Sequence, residues 1–519
     1  MRPSKMVTAR LGGLLGVLFV VFGATLTRGQ TISDDRLSVA LQGLDDLAHK
    51  IIETAGVPGL AIAVVHDDKV VYLKGFGHRE AGKPDLVDPD TVFQVASMSK
   101  PISATVVAAL VSEGVVGWDA RISDLDPGFQ LRDPYPSREL TIRDLFNHRS
   151  GLPGQAGNEL EGIGYGQAEI LRRLRLVAPS SSFRAGYSYS NFGFTEGAVA
   201  AARPTGKRWD VVAEETLYRP LGMASTSSRY ADFLARGNRA ALHVKLSGAW
   251  VAKVKRDADA QSPAGGISSN ARDLAQWVRL ELGNGVYEGK VLIKPEAIAA
   301  THLPLMARGD NPVTGAMSFY GLGWNVDFGR HGLSWGHAGA FSVGAQTVVG
   351  LYPKANLGIV VLTNAFPSGV PEGLADSFAD LAFDGKVGND WVKAWNRAYQ
   401  SLFVPAVAAA KTTYGAPPPS PSPARPLVAY AGRYINGYVG EAVVSAVGDA
   451  LTLAVGPRGA HVYPLSHFDR DLFISYPSPE MPDMASAVRF TIGPDGQAMD
   501  VTIDWLNEVG LGTLRRVAE

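Results

Sequence analysis

Apolar positions change their spacing from one region of this 519-residue chain to the next, and each spacing predicts a different element. Leu37, Leu41, Leu44, Leu47, Ile51 and Ile52 recur at helical steps and predict an amphipathic helix. Two apolar runs follow at 60–66 and 69–74, separated only by Asp67-Asp68, which predicts a hairpin. A second hairpin is predicted from 346–352 and 357–364 around the turn Pro353 to Asn356. Between them, Ile102, Val106 and Leu110 repeat every four residues behind Pro101, a pattern for a helix with one buried face that starts at or just before Ser97. A further helical stretch covers Trp391 to Ala410. Gly415 to Pro423 is dominated by Pro and Ser and predicts an extended, semi-rigid spacer. Beyond Leu427, short alternating runs at 441–446, 450–455, 487–492 and 499–505 predict a small β-barrel or sandwich.

Hairpins at both ends of a helix-rich middle predict an α/β domain, one antiparallel sheet flanked by helices plus a helical region, followed by a small all-β domain. The predicted boundaries are 31–411 for the first domain, 412–426 for the Pro-rich linker and 427–519 for the second. Ahead of them, Arg2, Lys5 and Arg10 precede an apolar run from Leu11 to Leu26. Its sixteen residues fall short of the roughly 20 that span a bilayer, so residues 1–30 read as a secretory signal and the protein as exported, periplasmic or secreted. Membrane contact is expected only through that segment, if it stays uncleaved.

Composition narrows the chemistry. With 46% hydrophobic residues the chain can bury large cores, and a formal net charge of −1 gives no basic field for nucleic acid. There is no cysteine, hence no disulfide and no lipoprotein attachment site. Ten histidines occur without H-E-x-x-H spacing, so neither a metal nor another cofactor is called for. No G-x-S-x-G elbow is present. Gly77 to Lys83 approaches a phosphate-binding loop but has Pro84 where Ser or Thr is needed, and it follows a hairpin.

Candidate chemistry lies in three places. Ser97 and Lys100 stand one helical turn apart, which brings an amine toward a hydroxyl that needs a base to become nucleophilic. Burial and the helix dipole would both depress the lysine pKa. Alone, such a pair occurs by chance about once in a chain this long. Tyr189-Ser190-Asn191, in a stretch that reads as a loop, sets a phenol beside a carboxamide. A nearby ammonium would lower that phenol's pKa and let Tyr189 share the base role with Lys100. Trp335 to Ala340 reads as the start of a strand whose small residues admit a ligand, with His337 as a titratable donor and the Ala340 amide available to an oxyanion. His148 reads as a loop histidine bonded to backbone, and Tyr187 as packing.

Taken in order, Ser97-x-x-Lys100, Tyr189-x-Asn191 and His337-x-Gly339 resemble the penicillin-recognising serine hydrolases, the group of class C β-lactamases, D-alanyl-D-alanine carboxypeptidases, D-aminopeptidases and related esterases. The segments Asp144 to Pro153, Pro263 to Ser269, Tyr320 to Trp324 and Leu362 to Ala365 are similar too, so the resemblance covers about residues 35–370. It implies a β-lactamase/transpeptidase-like fold with Ser97 acylated, Lys100 as its partner and Tyr189 as proton shuttle. It further implies an oxyanion hole from the Ser97 and Ala340 amides, His337 fixing Tyr189 or the substrate carbonyl, and Asn191 and Gly339 contacting substrate. Where true β-lactamases usually carry Lys-Thr-Gly, this chain has His337-Ala338-Gly339, so the fixed positive charge for a β-lactam carboxylate is missing. The implied activity is a peptidase on small or D-residue-containing peptides, linearised cyclic peptides among them. A carboxylesterase, a β-lactamase and a non-catalytic penicillin-binding sensor are the alternatives. Family members can carry a lipocalin-like C-terminal domain, and assembly into homo-oligomers stays open.

Overall fold

A computed structural model describes residues 32–478 and 481–518; the expected signal segment lies outside the described residues. Helix α1 (Asp34–Thr54) leads into strands β1 (Gly59–His66) and β2 (Lys69–Gly77). Their turn places both Asp67 and Asp68 at positive φ, the left-handed conformation that matches the twist of a two-residue hairpin. Helix α2 (Ser99–Ser112) opens the helical region, which also contains α3 (Asn158–Gly162), α4 (Asn191–Ala202) and α5 (Ala271–Leu282). The chain returns to the sheet with β3 (Met306–Asp310), β4 (Met317–Tyr320), β5 (Asn325–Gly329), β6 (Gly332–Phe341), β7 (Ala345–Tyr352) and β8 (Leu357–Thr363). Helices α6 (Val370–Asp384) and α7 (Trp391–Tyr414) follow.

The eight strands run in the order β2-β1-β8-β7-β6-β5-β4-β3, and each adjoining pair is antiparallel. Every residue of β1 and β8 is buried, which is why both read as unbroken apolar runs rather than alternating ones. One face packs against α1 and α6 through Leu44, Leu60, Leu357 and Phe378; the other meets α5 and the helical region. Strands β3 to β5 escaped the sequence reading. They are short, sit at the sheet's edge, and in Met306-Ala-Arg-Gly-Asp310 leave four of five residues exposed, so no alternation marks them. Helix α2 also departs from expectation. Instead of one buried face, every residue except Val111 is buried, with Ser103 Oγ donating to the Pro263 carbonyl at 2.7 Å.

Strand β6 has two neighbours over only half its length. Its pairing with β5 ends at Gly336, while pairing with β7 continues to Phe341, so from His337 onward one edge is open to the turn that precedes α2. Gly339 is required there. A β-carbon at this position would lie 2.2 Å from the Val95 carbonyl oxygen and 2.9 Å from the Met98 nitrogen.

The C-terminal domain is a closed barrel of eight strands, β9 (Gly432–Asn436), β10 (Gly440–Val447), β11 (Ala450–Val455), β12 (His461–Asp469), β13 (Leu472–Ser475), β14 (Ser486–Ile492), β15 (Ala498–Ile503) and β16 (Thr513–Arg516). Each strand pairs with the next in sequence and β9 closes on β16, the barrel alternative of the expected pair. Leu453, Phe473, Phe490, Val501 and Leu514 are buried in its core. That core is continuous with the one under the helical region, joined through Tyr438 and Val439. The Pro-rich stretch after α7 is irregular, yet the barrel does not stand away from the first domain: Ser422 donates its amide to Asp469 at 2.6 Å and the barrel packs on the helical region.

Candidate active site

Ser97 sits in a single tight turn, Ala96–Met98, that runs directly into α2. Ala96 has φ of 48°, a left-handed conformation costly for a residue with a β-carbon. The turn is pinned from three sides: the Val95 amide donates to Ile267 O at 3.0 Å, Thr347 Oγ1 to Val95 O at 2.8 Å, and the Ile267 amide to Ser99 Oγ at 3.0 Å. In the run 91–100 Ser97 alone keeps partial exposure. A packed helix thus presents one hydroxyl to solvent.

Lys100 is fully buried, and burial pushes its pKa well below the ordinary lysine value. Its Nζ lies 2.7 Å from Asn191 Oδ1, 2.9 Å from the Ala264 carbonyl oxygen and 3.3 Å from Ser97 Oγ. A neutral amine has two hydrogens and one lone pair. Two of its neighbours can only accept, so the lone pair is left facing the serine hydroxyl. That arrangement can take a proton from Ser97.

Tyr189 lies with its ring 4.4 Å from Lys100 Nζ. Burial raises the phenol's pKa above the ordinary tyrosine value. The sequence expectation is the opposite, because it sets an ammonium next to the ring; the phenol's own burial is the larger influence. Asn191 is not in a loop but is the first residue of α4, whose end is capped by Ser190 Oγ accepting the Gly193 amide at 3.1 Å.

His337 projects from the half-paired part of β6. Its Nδ1 is 2.7 Å from the Ala338 carbonyl, which can only accept, so Nδ1 carries the hydrogen and Nε2 accepts from Tyr320 Oη at 2.9 Å. Burial depresses its pKa from 6.5 to about 3. Of the two expected roles of His337, holding Tyr189 or the substrate carbonyl, the first is not seen: the ring centres are 6.4 Å apart, and Nε2 meets Tyr320 instead. Because the Ala338 carbonyl faces the open edge, the strand's two-residue period turns the Ala340 amide to the same edge, beside the Ser97 turn.

His148 accepts the Ser190 amide on Nδ1 at 3.1 Å, the backbone bond expected of it, and its ring lies 4.5 Å from Tyr189 and 4.9 Å from Tyr320. Tyr187 packs on Tyr320 at 5.4 Å, and burial takes it up to about 12. It also meets a residue missing from the sequence reading. Arg308, on β3, holds its guanidinium 5.5 Å from the Tyr187 ring and 5.9 Å from that of Tyr320, steadied by a 2.6 Å bond to Asn325. The positive charge absent from the third motif is supplied near the same ring cluster by a different strand. Tyr320 and Ala264 lie in segments already singled out for their similarity, but nothing local marks Arg308, or Asn158, whose Oδ1 meets Asn191 Nδ2 at 3.4 Å.

The family model described as Beta-lactamase matches residues 44–382, and one described as a domain of unknown function (DUF3471) matches 416–513. Unguisins hydrolase ungD' of Aspergillus campestris is 27% identical over 419 residues, 76% of this chain and 75% of its own length. Penicillin-binding protein 4 of Amycolatopsis lactamdurans is 26% identical over 343 residues, 62% of this chain and 83% of its own. Among solved structures, the octameric penicillin-binding protein homologue from Pyrococcus abyssi superposes with a TM-score of 0.54 at 19% identity, covering 91% of this chain and 99% of that one. SurE gives 0.55 at 20% identity over 92% and 100%.

Proposed function

The chain belongs to the beta-lactamase family, and from that premise we propose that it is an exported serine hydrolase that cleaves amide bonds of small peptides, D-residue peptides included, through an acyl-enzyme on Ser97. The observation that carries this reading is the contact set of Lys100: two acceptors for its two hydrogens and a lone pair toward Ser97 Oγ at 3.3 Å.

The steps follow from the chemistry of each group. Lys100 takes the Ser97 proton as Oγ attacks the carbonyl carbon, and the negative charge that develops on the carbonyl oxygen is met by the Ser97 and Ala340 amides. Tyr189, kept protonated by burial, gives its proton to the leaving amine, and the proton that Lys100 took from Ser97 then passes to the phenolate and restores it. Water then attacks the ester by the reverse route, and the acid product leaves. His337, neutral and held by Tyr320, fixes the strand edge without carrying charge.

Hydrolysis in the named fungal relative, a hydrolase of unguisins, supports an amide or ester acyl donor. His337 in place of a lysine counts against β-lactam hydrolysis as the main activity, and Arg308 favours acyl donors that carry an anionic group. Turnover of nitrocefin, short-chain nitrophenyl esters and D- and L-aminoacyl peptides, with Ser97→Ala as the blank, ranks these substrates. Mass spectrometry after a fluorophosphonate should show one adduct, on Ser97; an adduct elsewhere, or full activity in the Ser97→Ala protein, refutes the reading.

A further inference from the structure

Two of the three contacts of Lys100 lead to the short helix α3. Asn191 meets Asn158 at its start. Ala264 follows Gln261, whose amide donates to Glu161 on α3 together with the Arg256 guanidinium. Gly157, which precedes the helix, has φ of 88° and fits so tightly that a β-carbon would lie 2.8 Å from the ring of Phe192, the neighbour of Asn191. Whatever fixes α3 therefore fixes both acceptors of the amine.

What fixes it comes from the barrel. Tyr438, in the turn between β9 and β10 and only 1% exposed, donates its hydroxyl to Glu159 Oε1 at 2.9 Å and accepts the Gly157 amide at 2.9 Å. One phenol thus grips the start of α3, at the residue before it and at its second residue. The barrel turn is itself seated on the first domain by Arg173, which donates to the Tyr438 carbonyl, and by Tyr165 Oη, which donates to Val439 O at 3.0 Å.

We propose that the C-terminal barrel is a positioning element of the hydrolase site: Tyr438, acting through Glu159 and α3, holds Asn191 and Ala264 where they orient the Lys100 lone pair toward Ser97. The barrel touches no reacting atom in this scheme and acts on the chemical step rather than on substrate affinity. The inference rests on the reading of Lys100 as the base.

Tyr438→Phe tests it against Tyr434→Phe, which removes a buried hydroxyl bond of 2.7 Å to Tyr430 O wholly inside the barrel. Tyr438→Phe should lower kcat about fivefold to tenfold on the best acyl donor with KM within twofold. It should also speed amide hydrogen exchange at 155–163, 187–193 and 261–267. Tyr434→Phe should lower Tm while leaving kcat and those segments unchanged. If both variants lose Tm alike and neither changes kcat or exchange in those segments, or if Tyr438→Phe acts on KM alone, the proposal is overturned. The exchange readout needs no turnover, so an inactive wild type would refute the reading of Lys100 while leaving the mechanical link between Tyr438 and α3 separately measurable.

Discussion

The floor and the rim of the site lie within a few ångströms of each other and treat charge in opposite ways. On the floor, Lys100 and Tyr320 are 0% exposed, His148 1% and His337 6%, and burial pushes the amine and both imidazoles toward their neutral forms. At the rim, the Arg308 guanidinium is exposed and bonds a neutral amide. Solvent access, not distance, decides the outcome, because desolvation penalises the charged form of a group that water cannot reach. Under the proposed function, proton transfer belongs to the floor, where Lys100 faces Ser97, and recognition of an anionic substrate belongs to the rim.

The sharpest way to break this comparison is Lys100→Met. If the floor is neutral, the substitution should remove about a thousandfold or more of kcat/KM while leaving Tm unchanged or slightly raised, since a desolvated amine gives way to a thioether of similar length. Loss of folding would show instead that Asn191 Oδ1 and the Ala264 carbonyl need the hydrogens of the amine.

Acid titration of stability comes next in size. His337 falls from 6.5 to about 3 in the folded protein, so between those values the unfolded chain binds the extra proton. Its contribution is complete above pH 6.5 and declines as pH falls, by about 1.4 kcal/mol per unit down to about pH 3. Denaturant titrations of wild type and His337→Gln should differ in slope over that window; equal slopes would mean that the imidazole is solvated.

The rim gives the smallest effect. Arg308→Gln should raise KM about fivefold for acyl donors bearing a carboxylate and change neutral esters much less, and the difference should shrink in high salt. Equal losses for both substrate types would assign Arg308 to scaffolding of Tyr187 rather than to recognition.

How much of this was legible in the sequence depends on the range over which each feature is set. Ser97 and Lys100 announce themselves because a helix fixes the i, i+3 relation locally, and the two hairpins because β1 and β8 are buried along their whole length. Tyr189 and His337 stand out as members of spaced motifs, yet their hydrogen-bond partners do not: His337 finds Tyr320 rather than Tyr189 because β4 returns beside the site, a matter of sheet order. Arg308 is silent for the same reason, lying on an exposed edge strand with no periodicity. The direction of the Tyr189 shift is not legible in the sequence because it depends on how deeply the fold buries the phenol itself, which no local pattern records.

The apolar interior that runs unbroken from the sheet into the barrel has a practical consequence for anyone who cuts this molecule. A protease that nicks the peptide between 415 and 426 severs the covalent tie but none of the contacts around Tyr438 and Val439. The two fragments should elute from a sizing column as one particle and melt in a single calorimetric peak.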